Sequence, residues 1–287
     1  MLFLRLFCLK NQVRMKNIAI YAGREDFLRQ DRIVCMLEEF SDAGCNIYTV
    51  MSAADIQSGT DMLLSIGGDG TFLSASALVS DSGIPVTGVN LGRLGFLSEN
   101  RPEDVAQAVL TKDYTIENRT LLQLARSDSF TLPEEYHNAL NEMTVHRNGP
   151  AMLEVEVSVD GIKLPTYWAD GLVISTSSGS TAYSLSVGGP IVLPESRVLI
   201  ISPISPHNLN VRPLVVPDSS EIKLKMESRD GEFVFSSDNR SVSMPAGTSM
   251  SISVAQFSLR RVRLNRSNFI NALTQKLFWG EDVRNVK

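Results

Sequence analysis

The stretch "MLLSIGGDGTFLSASALVS" (residues 62–80) runs from a mostly apolar pentad through four loop residues into a segment of helical character. A short buried strand that ends in glycines and restarts as a helix is one unit of a parallel sheet with covering helices. In such sheets ligands bind beyond the carboxyl ends of the strands. Gly67, Gly68 and Gly70 permit unusual backbone angles and let N–H groups approach phosphate oxygens, while the helix start adds partial positive charge. Asp69 is the odd member of this phosphate cradle, because a carboxylate repels phosphate. It fits there if it holds a divalent cation or takes a proton from an attacking hydroxyl; a plain Asp-Gly turn is the alternative. Neither G-x-x-x-x-G-K-[ST] nor G-x-G-x-x-G occurs in the chain, and "HRN" at 146–148 lacks the aspartate of a protein-kinase catalytic loop.

Outward from this unit the same alternation continues. "NIAIY" (17–21) reads as a strand, and "LRQDRIVCMLEEFSDAG" places Leu28, Ile33, Leu37 and Phe40 at helical spacing before Gly44. "NIYTV" and "IPVTGVN" (84–90) read as further strands, and Pro102, Glu103 and Asp104 as the first turn of a helix carrying Val105, Ala108 and Val109. After about residue 118 the pattern changes. Leu153, Val155, Val157 and Val159 alternate strictly ahead of Asp160-Gly161, a hairpin signal, and alternation returns in "EIKLKME" and "MSISVAQFSLRRVRL". The expectation is an α/β N-terminal domain with a parallel sheet (1–118), a β-rich, β-sandwich-like domain (119–265), and a C-terminal helix (266–287) with Phe269, Leu273 and Leu277 on the face that packs back on the first domain. "MLFLRLFCLKNQVRM" is too short and too broken by Arg5 to be a signal peptide or a membrane span, so residues 1–14 read as an extension ahead of Met15.

At 287 residues, 43% hydrophobic and 21% charged, the chain has the composition of a soluble globular protein. A net charge of −5 gives no general attraction to nucleic acid or to an anionic membrane. Arg260, Arg261 and Arg263 alternate with apolar residues, which predicts a solvated strand face. Cys8, Cys35 and Cys45 have no paired spacing, so they read as small residues in or near a core, in a chain suited to a reducing cytosol. His137, His146 and His207 are too scattered to suggest a zinc site.

Three further constellations carry chemistry. Asn141 and Glu142 stand side by side in "LNEMTVH": an amide suits an adenine edge and a carboxylate suits paired ribose hydroxyls, although a capping or turn pair is the commoner use. "ADGLVISTSSGSTAYSLSVGGPIV" (169–192) runs a buried strand into a loop dense in hydroxyls and unencumbered amides, able to bind phosphate, ribose or a base edge, with Tyr183 placed to lie against a ring. "PISPHNLNVRPLVVP" (203–217) offers His207 and Arg212, for which packing or an internal carboxylate pair ranks above catalysis.

Taken together, "GGDGTFL", "GVNLGRLGFLSE" (88–99), "NE" (141–142), "DGLVISTSSGSTAYSLSVGGPIV" and "PISPHNLNVRPLVVP" resemble the NAD kinases, in the family's order, from about Lys16 to the C-terminus. Gly-Gly-Asp-Gly alone is shared with diacylglycerol and sphingosine kinases and with phosphofructokinases; the later motifs discriminate. The resemblance implies a phosphotransferase that makes NADP from NAD at the 2′-hydroxyl of the adenosine ribose, with ATP or polyphosphate as donor, magnesium or manganese, a homodimer or homotetramer, and a cytoplasmic location. It implies that Asp69 activates the hydroxyl, Gly67, Gly68 and Gly70 hold phosphates, and Asn141 and Glu142 hold the adenosine part. Asp170 would contact the far half of the dinucleotide. Ser178, Thr181, Ala182 and Tyr183 would line the base and ribose pocket, with Leu73 and Phe96 as apolar walls. No residue cluster identifies metal ligands. The family often has Thr-Pro-Thr where this chain has Thr176-Ser177-Ser178, which bears on loop rigidity. A diacylglycerol-type lipid kinase would share the Asp69 loop but needs membrane access, and no basic amphipathic segment supplies it. A non-catalytic dinucleotide sensor would use Asp69 only as a turn residue.

Overall fold

The computed structural model describes residues 15–92, 95–125, 130–265 and 268–277, and these divide into two compact units. The expected extension at 1–14, with Cys8, lies outside the described residues.

The first unit takes the chain up to Asn118 and again from Leu259. Its sheet runs in the order Asn46–Thr49, Asn17–Ala22, Met62–Ile66, Val86–Val89, Leu259–Leu264, Tyr114–Arg119. The second, third and fourth of these pair in parallel, as the expectation required. Strand order reverses around Asn17–Ala22: its chain-neighbour Asn46–Thr49 lies on one side and Met62–Ile66 on the other. Such a reversal opens a crevice beyond the carboxyl ends of the two strands that flank it, here Ala22 and Ile66.

The helix Asp31–Asp42 buries Ile33, Met36 and Phe40, one face at i, i+3 and i+7, and stops where Gly44 takes φ +87°. Its start lies beyond Leu28, which belongs instead to a separate 3₁₀ turn, Glu25–Arg29. Pro102 opens Pro102–Thr111 as expected, with Val105 and Val109 buried. Ile18, Ile20, Met62, Leu64, Val89, Val105 and Val262 share one core.

The second unit, Arg119–Ser258, packs two sheets over one core. One carries Leu153–Val159, Ile222–Glu227 and Ser249–Val254 as antiparallel neighbours; the other carries Glu142–Arg147 and Gly171–Thr176 at its centre. Leu153, Val155, Val157, Ile222, Leu224 and Ile252 meet Met143, Val145, Leu172, Ile174, Phe233 and Phe235 in that core. Asp160 and Gly161 both take positive φ, 50° and 81°, so the hairpin forms where its sequence signal lies.

Three expectations change. The alternating run 249–264 does not stay in one domain: Ser249–Val254 belongs to the second unit, while Leu259–Leu264 pairs in parallel with Val86–Val89 of the first. Alternation reports a half-buried strand without saying which sheet receives it. Arg261 is not on a solvated face; it is 3% exposed. Cys35 is exposed, whereas Cys45 is buried.

Candidate active site

Helix Asp69–Val79 starts directly after the strand Met62–Ile66, with Gly68 at its N-cap and Asp69 in its first turn. Gly67 takes φ +150°, and a Cβ there would stand 2.3 Å from Thr71 Oγ1. Gly23, beyond the neighbouring strand, is pressed on the same hydroxyl, at 2.4 Å from a Cβ. Both glycines therefore let the two strand ends close on the helix start. At Gly68 and Gly70, both exposed, a Cβ would meet nothing within 4 Å, so no close neighbour excludes a side chain there. Leu73 is buried, and Phe96 is half-buried with its ring 6.0 Å from that of Phe269.

The Asp69 carboxylate is held by a second segment. Oδ2 accepts the N–H of Phe96 at 2.8 Å; Oδ1 accepts those of Leu97 at 3.1 Å and Ser98 at 2.8 Å. The segment lies close because Gly95 and Gly88 have no side chains. A Cβ on Gly95 would fall 1.9 Å from Asp69 Oδ1, and one on Gly88 would fall 2.7 Å from Ser98 Cα. Ser98 Oγ also donates to the Gly67 carbonyl at 2.6 Å, tying the segment to the glycine loop. A carboxylate has about four acceptor directions; three are filled, and the remaining one is on Oδ2.

Around that segment, Arg261 Nη1 donates to Glu117 at 3.0 Å, and Nη2 bonds Glu99 and the carbonyls of Phe96 and Leu97. Lys276 Nζ donates to the Gly95 carbonyl and lies 4.8 Å from the centre of the Phe96 ring. Burial holds the Lys276 ammonium below the ordinary lysine range, with Glu99 and Asp69 pulling it back upward.

In the second unit Asn141 and Glu142 are both buried, and Asn141 Oδ1 and Glu142 Oε2 have no hydrogen-bond partner within the protein. Buried polar atoms of this kind are costly unless a ligand completes them. Asp238 fixes the dipeptide by accepting the N–H groups of Leu140 at 2.9 Å, Asn141 at 2.8 Å and Glu142 at 3.2 Å. Burial, then the neighbouring charge of Asp238, raises the Glu142 carboxyl to about 8. The nearby Tyr183 backbone N–H pulls the same carboxyl back down. Thr176, fully buried, reaches both sides: its N–H donates to the Asn141 carbonyl at 2.9 Å and its Oγ1 to the Leu140 carbonyl at 2.6 Å. Gly179 sits so close that a Cβ would stand 2.2 Å from the Asn141 carbonyl oxygen.

The hydroxyl-rich loop differs from its expected use. Ser177 Oγ bonds the Ser196 carbonyl, Ser180 Oγ the Val192 carbonyl at 3.2 Å, and Ser184 Oγ the Ser202 hydroxyl at 3.1 Å. These hydroxyls brace the loop internally, which offsets the missing proline. Thr181 Oγ1 also turns inward, to the Ser178 carbonyl at 3.4 Å, while Tyr183 is exposed and Ala182 half-exposed beside it. Ser178 Oγ accepts from the buried Arg119 at 3.4 Å. Asp170 is paired with Arg147 at 2.7 Å, a partner the sequence did not suggest. Arg212 is exposed and donates to the carbonyls of Leu209 and Val211, in place of the carboxylate expected, and His207 is exposed.

Among the described residues no group of three or more His, Cys, Asp or Glu is placed to hold a metal. Nor is any helix among them long and apolar enough to cross a membrane.

Two family models match the chain: the ATP-NAD kinase N-terminal domain over residues 19–114 and the ATP-NAD kinase C-terminal domain over residues 140–264. The NAD kinase of Flavobacterium psychrophilum is 43% identical over 271 residues, covering 90% of this chain and 92% of that protein. The NAD kinase of Bacteroides fragilis is 40% identical over 260 residues, covering 88% and 89%. Among solved structures, yeast NADH kinase complexed with NADH matches with a TM-score of 0.85 at 26% identity, covering 96% of this chain and 91% of that one. An NAD kinase from Archaeoglobus fulgidus in complex with ATP shares the fold, with a TM-score of 0.75 at 24% identity and coverage of 91% and 98%.

Proposed function

The chain belongs to the NAD kinase family, and on that premise we propose how its residues carry a phosphoryl group from ATP to NAD. The enzyme phosphorylates the 2′-hydroxyl of the adenosine ribose to give NADP. The observation that carries our assignment of roles is the one acceptor direction left on Asp69 Oδ2, in the first turn of a helix that follows a glycine loop. Asp69 accepts a hydrogen bond from the 2′-hydroxyl, orients it, and takes its proton as the oxygen–phosphorus bond forms and the bond to the ADP leaving group breaks. Phosphoryl transfer asks the protein mainly for positioning and charge stabilisation. The N–H groups at Gly68 and Gly70 and the helix N-terminus face the donor phosphates.

Asn141 and Glu142 take the adenosine half of NAD, filling the unpartnered Oδ1 and Oε2. With its carboxyl raised to about 8, Glu142 is largely protonated at neutral pH and both donates to and accepts from a ribose diol. Ala182 and Tyr183 offer the ring surface; Ser178 and Thr181 act by shaping the loop. Asp170 contacts the far half of the dinucleotide, with Arg147 steadying it. Leu73 and Phe96 supply apolar contact. With no group of three or more His, Cys, Asp or Glu placed to hold a metal among the described residues, a divalent cation, magnesium or manganese, fits as an ion held largely by donor phosphates. Bound there, it would neutralise phosphate charge. A cytoplasmic location and a homodimeric or homotetrameric state follow the family resemblance; light scattering measures the latter.

The test is NADP formation from NAD with ATP and magnesium, read through an NADP-specific dehydrogenase, with Asp69→Ala alongside. Turnover by wild type and its loss in the variant is the expected result. Polyphosphate in place of ATP tests the alternative donor. Binding of NAD without any turnover would favour the sensor reading. The diacylglycerol-type lipid kinase is set aside, since both matching family models are of ATP-NAD kinases.

A further inference from the structure

Each peptide group that holds Asp69 is itself gripped from its other end. The peptide joining Gly95 to Phe96 donates its N–H to Asp69 Oδ2 at 2.8 Å, and its carbonyl accepts from Lys276 Nζ. The next, joining Phe96 to Leu97, donates to Oδ1 at 3.1 Å and accepts from Arg261 Nη2 at 3.2 Å. The third, joining Leu97 to Ser98, donates to Oδ1 at 2.8 Å and accepts from the same guanidinium nitrogen at 3.3 Å. The order cation, peptide, carboxylate thus occurs three times side by side within the first unit. A cation on a carbonyl polarises the peptide and strengthens the N–H on its far side, and linked hydrogen bonds reinforce one another. The arrangement is also fixed in space. Arg261 is 3% exposed and pinned by Glu99 and Glu117, and Lys276 lies over the Phe96 ring.

We infer that Lys276 and Arg261 are positioning residues for phosphoryl transfer: through three peptide groups they fix the Asp69 carboxylate so that its open acceptor direction meets the substrate hydroxyl. The inference rests on the role proposed above for Asp69. It makes the C-terminal strand and helix part of the catalytic apparatus rather than a closing flap of the core.

The experiment compares full-length Lys276→Met, Lys276→Arg and Arg261→Met with wild type. It measures kcat, KM for NAD and for ATP, the melting temperature, and hydrogen exchange of the amides of residues 96–98. Misplacing a reacting group by about an ångström costs up to ~100-fold. Lys276→Met is therefore expected to lower kcat ~10- to 100-fold, with both KM values within about threefold and melting unchanged. Exchange at 96–98 accelerates, and Lys276→Arg recovers most of the rate. Added to Asp69→Asn, Lys276→Met is expected to change kcat by less than about twofold, because the group it serves is gone. Arg260→Met, on the same strand but bonded to the Gly83 carbonyl, is expected to leave turnover unchanged. Wild-type kcat in Lys276→Met would overturn the inference, as would a loss carried by KM or by melting, or an equal loss in the Asp69→Asn background. Unaltered exchange at 96–98 overturns it whatever the activity, so a wild type that formed no NADP would count against the assigned reaction alone. If Arg261→Met fails to fold, the Lys276 variants still decide.

Discussion

Asp69 and Asp238 each accept three N–H groups from consecutive residues, the first from 96–98 and the second from 140–142. Their surroundings separate them. The Asp238 side chain is 2% exposed, with Arg240 at 3.6 Å, and burial raises its carboxyl above the ordinary range against the pull of its amide bonds and of Arg240. It has no face left for a ligand; its work is to shape the backbone that presents Asn141 and Glu142. Asp69 is half-exposed at a helix start and keeps an acceptor direction for solute. On the roles proposed above, one carboxylate is the tool and the other is part of the handle. The same local bonding therefore says little about function until exposure and unfilled valence are counted.

Substitutions can break this contrast. Asp69→Asn should give the largest effect, lowering kcat by ~10²–10⁴-fold while KM for NAD stays within a few-fold, as expected for a lost general base; steady-state kinetics on the purified variant decide, and near-wild-type turnover would make Asp69 a turn residue. Asp238→Ala should act mainly on the fold. Stranding three amides costs about 3 kcal/mol of stability, seen as a lower urea midpoint, together with weaker NAD binding. A variant that lost kcat without losing stability would reverse the assignment.

Gly179→Ala should push the Asn141 carbonyl away, raising KM for NAD about tenfold, near 1.4 kcal/mol, with little change in KM for ATP; equal changes in both would argue against a role confined to the dinucleotide. The last effect is conditional on pH. The folded Glu142 carboxyl lies near 8 against an ordinary 4.5, so the folded protein holds that proton more tightly. Its contribution to stability is full below about 4.5 and is lost as the pH rises to about 8. Glu142→Gln, which never ionises, should melt close to wild type at pH 5 and ~5–10 °C higher at pH 8.5 without ligand; parallel melting curves across that range would contradict the buried, protonated state.

How much of this was legible in the sequence follows from the range over which each bond acts. The turn at the glycine loop, the helix after it and the Asp160-Gly161 hairpin are local patterns, and they form where their residues predict. Asp238, Arg261 and Lys276 act on residues roughly a hundred or more positions away in the chain, and no periodicity carries that information. Arg261 is the instructive case. Its alternation with apolar neighbours is that of an ordinary half-solvated strand, yet it is buried because Glu99 and Glu117 come to meet it. Gly88, Gly95 and Gly179 were visible as residues, but the backbones and the carboxylate that forbid them a side chain lie from about ten to about forty positions away in the chain. The serine-rich loop misled in the other direction, since hydroxyls that could face a ligand mostly cap carbonyls of their own unit.

The return of Leu259–Leu264 to the first sheet also has a bearing on biosynthesis. The first unit is discontinuous in the chain, so a ribosome delivers the glycine loop and the helix Asp69–Val79 long before it delivers the strand and the two cations that finish them. Non-local pairings of this kind are slow to form and leave sheet edges open in the meantime. The second unit, contiguous from Arg119 to Ser258, can complete itself during that wait. A nascent chain cut short before residue 259 would then hold a finished sandwich and an unfinished first sheet, which, on the roles proposed above, ties the appearance of activity to delivery of the strand Leu259–Leu264.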